Sequence, residues 1–119
     1  MAACLAWLLN RFLYGRFGSS VVGTMVPVLE ELLKTGLAVL CRTSIIGTHG
    51  VFGMVEFVWD FSNPGTGHWL PALAGLLSHL LYGFLTYWIA LLTNNLGLGV
   101  LVAAVVHMAW NRLMLRLDS

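Results

Sequence analysis

Val28-Leu29-Glu30-Glu31-Leu32-Leu33-Lys34 is the stretch on which the fold and the function of this chain depend. Its two adjacent carboxylates and its lysine lie in a run from Ser19 to Cys41 that is otherwise almost wholly apolar and long enough to cross a bilayer. Ionisable groups in such a segment are costly and rarely face lipid, so they indicate a functional site. Glu30 and Lys34 are four residues apart, so on a helix they share a face and can pair.

The composition is that of an integral membrane protein. Only 9% of the 119 residues are charged and 59% are hydrophobic, whereas about 25% of a soluble domain is charged. A soluble fold of this length could not bury so much apolar surface, but a bilayer removes the need to bury it. We expect no nucleic-acid partner, because the sequence has no basic cluster. Cys4 and Cys41 form neither a metal motif nor a disulfide framework.

Four long apolar segments predict an all-α bundle of four core transmembrane helices. The predicted spans cover residues 20–41, 45–61, 69–93 and 98–113. Ser20 is a suitable N-cap for the first span, and we expect Pro27 to kink this span just before the glutamates. Residues 1–14 are apolar but short, which predicts a short N-terminal interfacial or partly inserted helix. The predicted units are therefore residues 1–18 for this helix and residues 19–119 for the transmembrane core.

Four polar residues are expected at one depth in the bilayer. Glu30, Glu56, His79 and His107 each lie roughly ten residues from one end of their predicted span, a rise of about 15 Å. The hydrocarbon core is about 30 Å thick, so all four side chains are expected near its middle.

Helical periodicity places these residues on small or polar faces. Glu56 belongs to a stripe whose opposite face suits lipid, and His79 lies on a face that also carries Gly83. His107 is followed one turn later by Asn111. The stripe on the second span is formed by His49, Gly53, Glu56 and Asp60, opposite Val51, Met54, Val55 and Val58. Because His49 and Asp60 lie near span ends, we expect them to be structural or interfacial.

Carboxylates and histidines at one depth are the groups that activate water. A glutamate in an apolar site retains its proton more readily than one in water, which suits a general base near neutral pH. Lys34 can hold one glutamate ionised, and a histidine can share a proton or stabilise an oxyanion, to which Asn111 can also donate. The predicted catalytic residues are Glu30, Glu31, Lys34, Glu56, His79, His107 and Asn111, with either Glu30 or Glu31 as the base.

Simpler interpretations and a metal site stay open. In one alternative the pair of Glu30 and Lys34 has a purely structural role and fixes helix packing. Membrane histidines, likewise, often act as interhelical hydrogen-bond partners. His79, His107 and Glu56 would form a His₂Glu zinc site, although the sequence has no HExxH motif. We expect a site without a metal cofactor, because adjacent glutamates beside a lysine already supply a tunable base. Zinc is the alternative.

Four motifs in order resemble those of PrsW-type intramembrane proteases, which belong with the type II CAAX prenyl endopeptidases and bacteriocin-immunity proteins. Residues 30–34 resemble the EExxK motif, and residues 52–56 resemble FxxxE. His79 matches the histidine of the third motif, and residues 107–111 resemble the closing HxxxN. Position 35 is Thr and position 56 is Glu, so the PrsW branch fits better than relatives with EExxxR and FxxxH.

The resemblance implies a membrane-embedded endopeptidase of the glutamic type in which glutamate and histidines activate water. It implies membrane-associated protein substrates, such as membrane-anchored anti-sigma factors. The chain is close to the bare four-helix core of that family and lacks its usual extra spans. The alternatives from the residues alone are a non-catalytic membrane scaffold or immunity protein, or a small proton-coupled transporter.

The arginines predict how the chain is oriented in the inner or plasma membrane. With four spans both termini lie on one side, where Arg11, Arg16, Arg112 and Arg116 are found, and Arg42 lies on the other. The positive-inside rule then places both termini in the cytoplasm. This orientation is reversed if residues 1–14 are themselves a span. The oligomeric state is not predicted.

Overall fold

The described part of the chain is entirely helical. The structure, a computed structural model, describes residues 12–13, 15–16, 23–62 and 69–117. Its four helices are α1 (Met25–Leu40), α2 (Ile45–Ser62), α3 (Trp69–Thr93) and α4 (Leu96–Leu117). The all-α prediction is confirmed for these residues. The predicted interfacial helix and the unit of residues 1–18 fall almost entirely outside the described residues.

Helix α1 begins later than the sequence predicted. It starts at Met25 rather than near Ser20, and Thr24 occupies the N-cap position. Pro27 is therefore the third residue of the helix, where its missing N–H breaks no intrahelical hydrogen bond. The predicted kink before the glutamates is wrong, because Pro27 lies in the first turn of the helix. Glu30 lies only five residues beyond the start of α1, not roughly ten.

Two helices have the length and composition of membrane spans. Helices α3 and α4 are long and apolar enough to cross a bilayer. Helix α1 has only 16 residues, and α2 carries Glu56, Asp60 and His49 within its 18 residues. The structure therefore supports two of the four predicted spans by this criterion.

The interior of the bundle is more polar than its surface. Among the described residues, eight hydrophobic side chains are buried, compared with nine polar or charged ones. The predicted lipid face of α2 is exposed, with Val51, Met54, Val55 and Val58 all on the outside. A soluble domain buries its apolar side chains and exposes its polar ones. The reversed distribution is what a lipid environment favours, because lipid solvates apolar side chains and not ionised ones.

Helices α2 and α3 pack closely through reciprocal contacts between glycine and histidine. A Cβ atom built on Gly83 of α3 would lie 2.8 Å from Cβ and 2.9 Å from Cγ of His49 on α2. A Cβ atom built on Gly53 of α2 would lie 3.0 Å from Cβ of His79 on α3. Each histidine thus lies over a glycine of the opposite helix, and close packing through small residues is typical of membrane helices. The predicted small faces of both helices are confirmed.

Tight turns bring the other helices into place. Arg42 has a positive φ of 53°, and the N–H of Thr43 donates to Ala38 O at 2.8 Å, which ends α1 in a Schellman motif. Asn94, with φ of 52°, follows α3, and α4 begins at Leu96. Helix α1 packs against α2 and α4, and α3 packs against α2 and α4. All four helices therefore surround one interior.

Replacing Gly83 with alanine should destabilise the bundle. The new methyl group would overlap His49, and overpacking of this kind costs about 1–3 kcal/mol. We expect a lower midpoint of thermal unfolding in detergent for Gly83→Ala. The matched control is Gly75→Ala on the same helix, where an added Cβ meets nothing within 4 Å. Equal unfolding midpoints for the two variants would contradict the close packing at Gly83.

Candidate active site

The Glu31 carboxylate is the centre of a buried hydrogen-bond network. It is fully buried and accepts contacts from three helices. His107 Nδ1 on α4 lies 3.0 Å from Glu31 Oε1, and His49 Nε2 on α2 lies 2.8 Å from Glu31 Oε2. Lys34 Nζ on α1 is 3.4 Å from Oε1. Each oxygen therefore faces at least one nitrogen donor, which is how a buried carboxylate avoids an unsatisfied charge.

The Lys34 ammonium links this centre to a second group of side chains. Its Nζ atom is fully buried, 3.1 Å from Glu30 Oε2 and 2.9 Å from His79 Nδ1. The ring of Phe52 covers it at 5.3 Å from the centroid, a distance at which cation–π attraction operates. Lys34 therefore pairs with both glutamates of α1 and also contacts α3. The predicted pair of Glu30 and Lys34 is confirmed.

The contacts of His79 determine which of its nitrogens carries the proton. An ammonium group only donates, so Nδ1 of His79 accepts from Lys34 and is not protonated. The proton of the neutral ring is therefore on Nε2, which donates to Glu56 Oε2 at 2.5 Å. The ring is buried, but the Glu56 side chain is 46% exposed. Glu56 is thus the carboxylate of the site with the most open surface, and Lys34 acts on it through His79.

His107 is held against Tyr82 and α1. Its ring stacks on Tyr82, with centroids 4.4 Å apart and an interplanar angle of 19°. Its Nδ1 faces Glu31, and its Nε2 lies 3.9 Å from Glu30 Oε2, beyond hydrogen-bond distance. His79 meets His107 edge to face, with centroids 5.5 Å apart. The two imidazoles and the phenol ring therefore line one side of the cluster.

The structure brings six of the seven predicted residues into this cluster: Glu30, Glu31, Lys34, Glu56, His79 and His107. These six side chains form one network of contacts, whereas their catalytic roles remain predictions. Asn111 lies one turn beyond His107 and is half-buried. Asp60 lies one turn beyond Glu56 and is also half-buried.

His49 contacts Glu31 and so belongs to the cluster, although it is not among the predicted catalytic residues. It is fully buried, and its Nδ1 donates to the carbonyl oxygen of Ile45 at 2.9 Å while Nε2 faces Glu31. Of the two roles expected for His49, structural or interfacial, its full burial against α1 agrees with the structural one. The useful signal was its position on the same stripe as Gly53 and Glu56.

The candidate metal ligands differ from those predicted. Glu30, Glu56 and His79 have ligand atoms within 4.8 Å of one another, so Glu30 replaces His107 in the predicted zinc set. His107 instead turns Nδ1 to Glu31. Both ring nitrogens of His79 are already engaged, one by Lys34 and one by Glu56. A zinc ion bound about 2.0–2.1 Å from His79 would have to displace one of them.

An apolar groove of about 520 Å³ lies beside the cluster, between α3 and α4. It is lined in part by Tyr82, whose ring meets that of His79 edge to face, and by Ser78, which precedes His79 in the chain. The groove is lined by Ala74, Leu77, Ser78, Leu81, Tyr82, Val106, Ala109, Trp110 and Leu113. Its lining suits an apolar chain, and the ring of Tyr82 also stacks on His107.

Comparison of the chain with models of protein families, with curated proteins and with solved structures finds no match. The resemblance to PrsW-type proteases therefore rests on the four motifs alone. The structure gives a physical role to several motif residues, since the motif phenylalanine covers Lys34 and the motif glutamate binds His79.

We expect the purified protein to contain much less than one zinc ion per chain. The reason is that Lys34 Nζ already provides the positive charge between Glu30 and His79. Elemental analysis of protein prepared without chelator tests this, and EDTA should leave the unfolding midpoint unchanged. One zinc per chain that is lost in Glu56→Gln but kept in Asp60→Asn would contradict the expectation and establish a metal site.

Proposed function

We propose that this chain is an intramembrane endopeptidase of the glutamic type, which hydrolyses peptide bonds of membrane-associated protein substrates. The observation that supports this function best is the row formed by Lys34, His79 and Glu56. In this row a half-exposed carboxylate is bound to a histidine whose other nitrogen accepts from a buried ammonium. A carboxylate oriented by a histidine at the edge of an apolar bundle is suited to take a proton from water.

In the proposed reaction Glu56 is the general base. It removes a proton from a water molecule, and the resulting hydroxide adds to the carbonyl carbon of the scissile peptide bond. The tetrahedral intermediate then expels the amine, which takes the proton from Glu56, so the base is regenerated. His79 stays neutral and keeps Glu56 in place through Nε2–H, because Lys34 holds Nδ1 as an acceptor.

The other predicted residues support the oxyanion and the shape of the site. His107 is anchored through Nδ1 and leaves Nε2 directed towards the cluster, where as imidazolium it can donate to the oxyanion. Asn111, one turn further along α4, is proposed as a second donor. Glu31 is fully buried and already engaged with three donors, so we assign it an anchoring role. Glu30 and Glu31 as the base, and a zinc metalloprotease, are the alternatives.

The membrane architecture of this proposal has four spans. His79 and His107 lie near the middle of α3 and α4, and they contact residues of α1 and α2. Helices α1 and α2 must then lie at the depth of the two apolar helices. We propose that both termini are cytoplasmic and that the groove between α3 and α4 receives the transmembrane segment of the substrate, for example an anti-sigma factor. The apolar lining of the groove supports this choice.

Two other functions predict different behaviour. A non-catalytic scaffold or immunity protein would use the buried cluster only for packing, so neutralising Glu56 would alter stability or assembly. A proton-coupled transporter would need a continuous path for protons. The branch of the network through His49 ends at the carbonyl oxygen of Ile45, which cannot pass a proton on. This branch therefore gives no support to proton transport.

Glu56→Gln should abolish cleavage while the protein stays folded. The amide keeps the size of the side chain but cannot accept the proton of water, and loss of a general base lowers rates about 10²- to 10⁴-fold. The measurement is the cleavage rate of a fluorogenic single-span substrate in proteoliposomes, together with circular dichroism of each variant.

The matched control is Asp60→Asn, which neutralises the other carboxylate of α2 one turn away. We expect it to cleave at nearly the rate of the unaltered chain. If Glu56→Gln is as active as Asp60→Asn, Glu56 is not the base. If instead Glu31→Gln alone is inactive and folded, the base is on α1.

A further inference from the structure

We propose that His49 is an imidazolium that acts as the positioning residue of Glu31 and supplies a further positive charge to the buried site. The inference rests on the proposed function for its catalytic consequence, but the protonation of His49 can be measured without it. His49 lies outside all four motifs that the sequence analysis identified. Its assignment comes from the contacts of its two nitrogens.

The hydrogen bonds of His49 require a proton on each nitrogen. The carbonyl oxygen of Ile45 can only accept, so Nδ1, 2.9 Å away, must carry a proton. Nε2 faces Glu31 Oε2 at 2.8 Å, and the contact needs one proton between these two atoms. Either Nε2 carries it and Glu31 is a carboxylate, or Glu31 carries it and His49 is neutral.

The other contacts of Glu31 favour the carboxylate. Its second oxygen faces Lys34 Nζ at 3.4 Å and His107 Nδ1 at 3.0 Å. A carboxylate surrounded by donors is favoured over a carboxylic acid, whose proton would have to replace one of the hydrogen bonds. With Glu31 ionised, the proton in question is on Nε2 of His49, and the ring carries a positive charge.

The charges of the whole cluster lead to the same assignment. Three carboxylates lie in it, and Lys34 together with the imidazolium proposed for His107 offsets only two of them. His79 is held neutral by its contact with Lys34. An imidazolium at His49 reduces the excess negative charge of the buried groups, which is costly in an apolar interior. Among the described residues, Lys34 of α1, Tyr82 of α3 and His107 of α4 interact with Glu31, and Glu30 shares Lys34 with it.

The packing around His49 is shaped to hold the ring in this position. The side chain lies over Gly83, where even a methyl group would overlap it. The ring is anchored to its own helix through Ile45 and cannot turn without losing a hydrogen bond at each end. His49 therefore fixes Oε2 of Glu31, while Oε1 stays available to hold Lys34 and His107. These two side chains in turn set the positions of His79 and of the proposed oxyanion donor.

The test is ¹⁵N NMR of histidine-labelled protein in nanodiscs at neutral pH, with the His49 signals assigned by their absence in His49→Gln. We expect two protonated ring nitrogens for His49 in the unaltered chain. In Glu31→Gln the counter-charge is removed, and we expect His49 to show one non-protonated nitrogen. A non-protonated nitrogen in the unaltered chain would overturn the proposal, whether or not the protein cleaves any substrate.

Cleavage kinetics test the positioning role separately. We expect His49→Gln, which keeps one donor but no charge, to lower kcat about 10- to 100-fold with KM little changed, the scale found when an orienting partner is removed. The kcat of His49→Leu should be lower still, because leucine has neither a donor nor a charge. The control on α2 is Thr48→Ser, which we expect to leave kcat unchanged. Equal kcat for the unaltered chain and a folded His49→Gln would overturn the positioning role. If the unaltered chain cleaves nothing, the proposed function fails while the NMR result still decides the charge of His49.

Discussion

The structure depends on how one buried carboxylate is satisfied. Glu31 has no exposed surface, and its two oxygens are held by nitrogens from α1, α2 and α4. Burying an ionised carboxylate without hydrogen-bond donors in a low-dielectric interior costs a large free energy. The helices that carry these donors must therefore assemble around Glu31. Lys34 then extends the network to α3 through His79. The same contacts that assemble the bundle thus orient the half-exposed Glu56.

The glycines explain why such a network can form in so short a chain. Gly53 and Gly83 have no side chain, so α2 and α3 can approach closely. The histidine of the facing helix occupies the space that a side chain would fill. Outside this polar interior, the surface of α2 to α4 carries large apolar side chains. The bundle therefore keeps its polar contacts inside and presents an apolar exterior, the distribution that lipid favours. This division allows charged chemistry to exist in a protein that has few charged residues.

Much of this arrangement could be predicted from the sequence, because helical periodicity shows which residues share a face. The bounds of α2 and α3 and the face containing His79 and Gly83 followed from apolar runs and offsets of three and four residues. The depth of Glu30 could not be predicted in this way, because it depends on where α1 begins, and α1 begins with Pro27 in its first turn. His49 was missed because its distance from a span end says nothing about the level of the neighbouring helix. The partner of each histidine nitrogen could not be predicted from the sequence either, since it depends on side-chain geometry.

Hydrolysis inside the membrane is tested most directly by following the oxygen of water. The purified chain in proteoliposomes would be incubated with a single-span membrane substrate in H₂¹⁸O, and the fragments analysed by mass spectrometry. Water activated at Glu56 should place one ¹⁸O atom in the new C-terminal carboxyl group of the N-terminal fragment. Intact substrates throughout a panel of single-span proteins, with the enzyme folded, would contradict a hydrolytic function. So would fragments whose new carboxyl group carries no label.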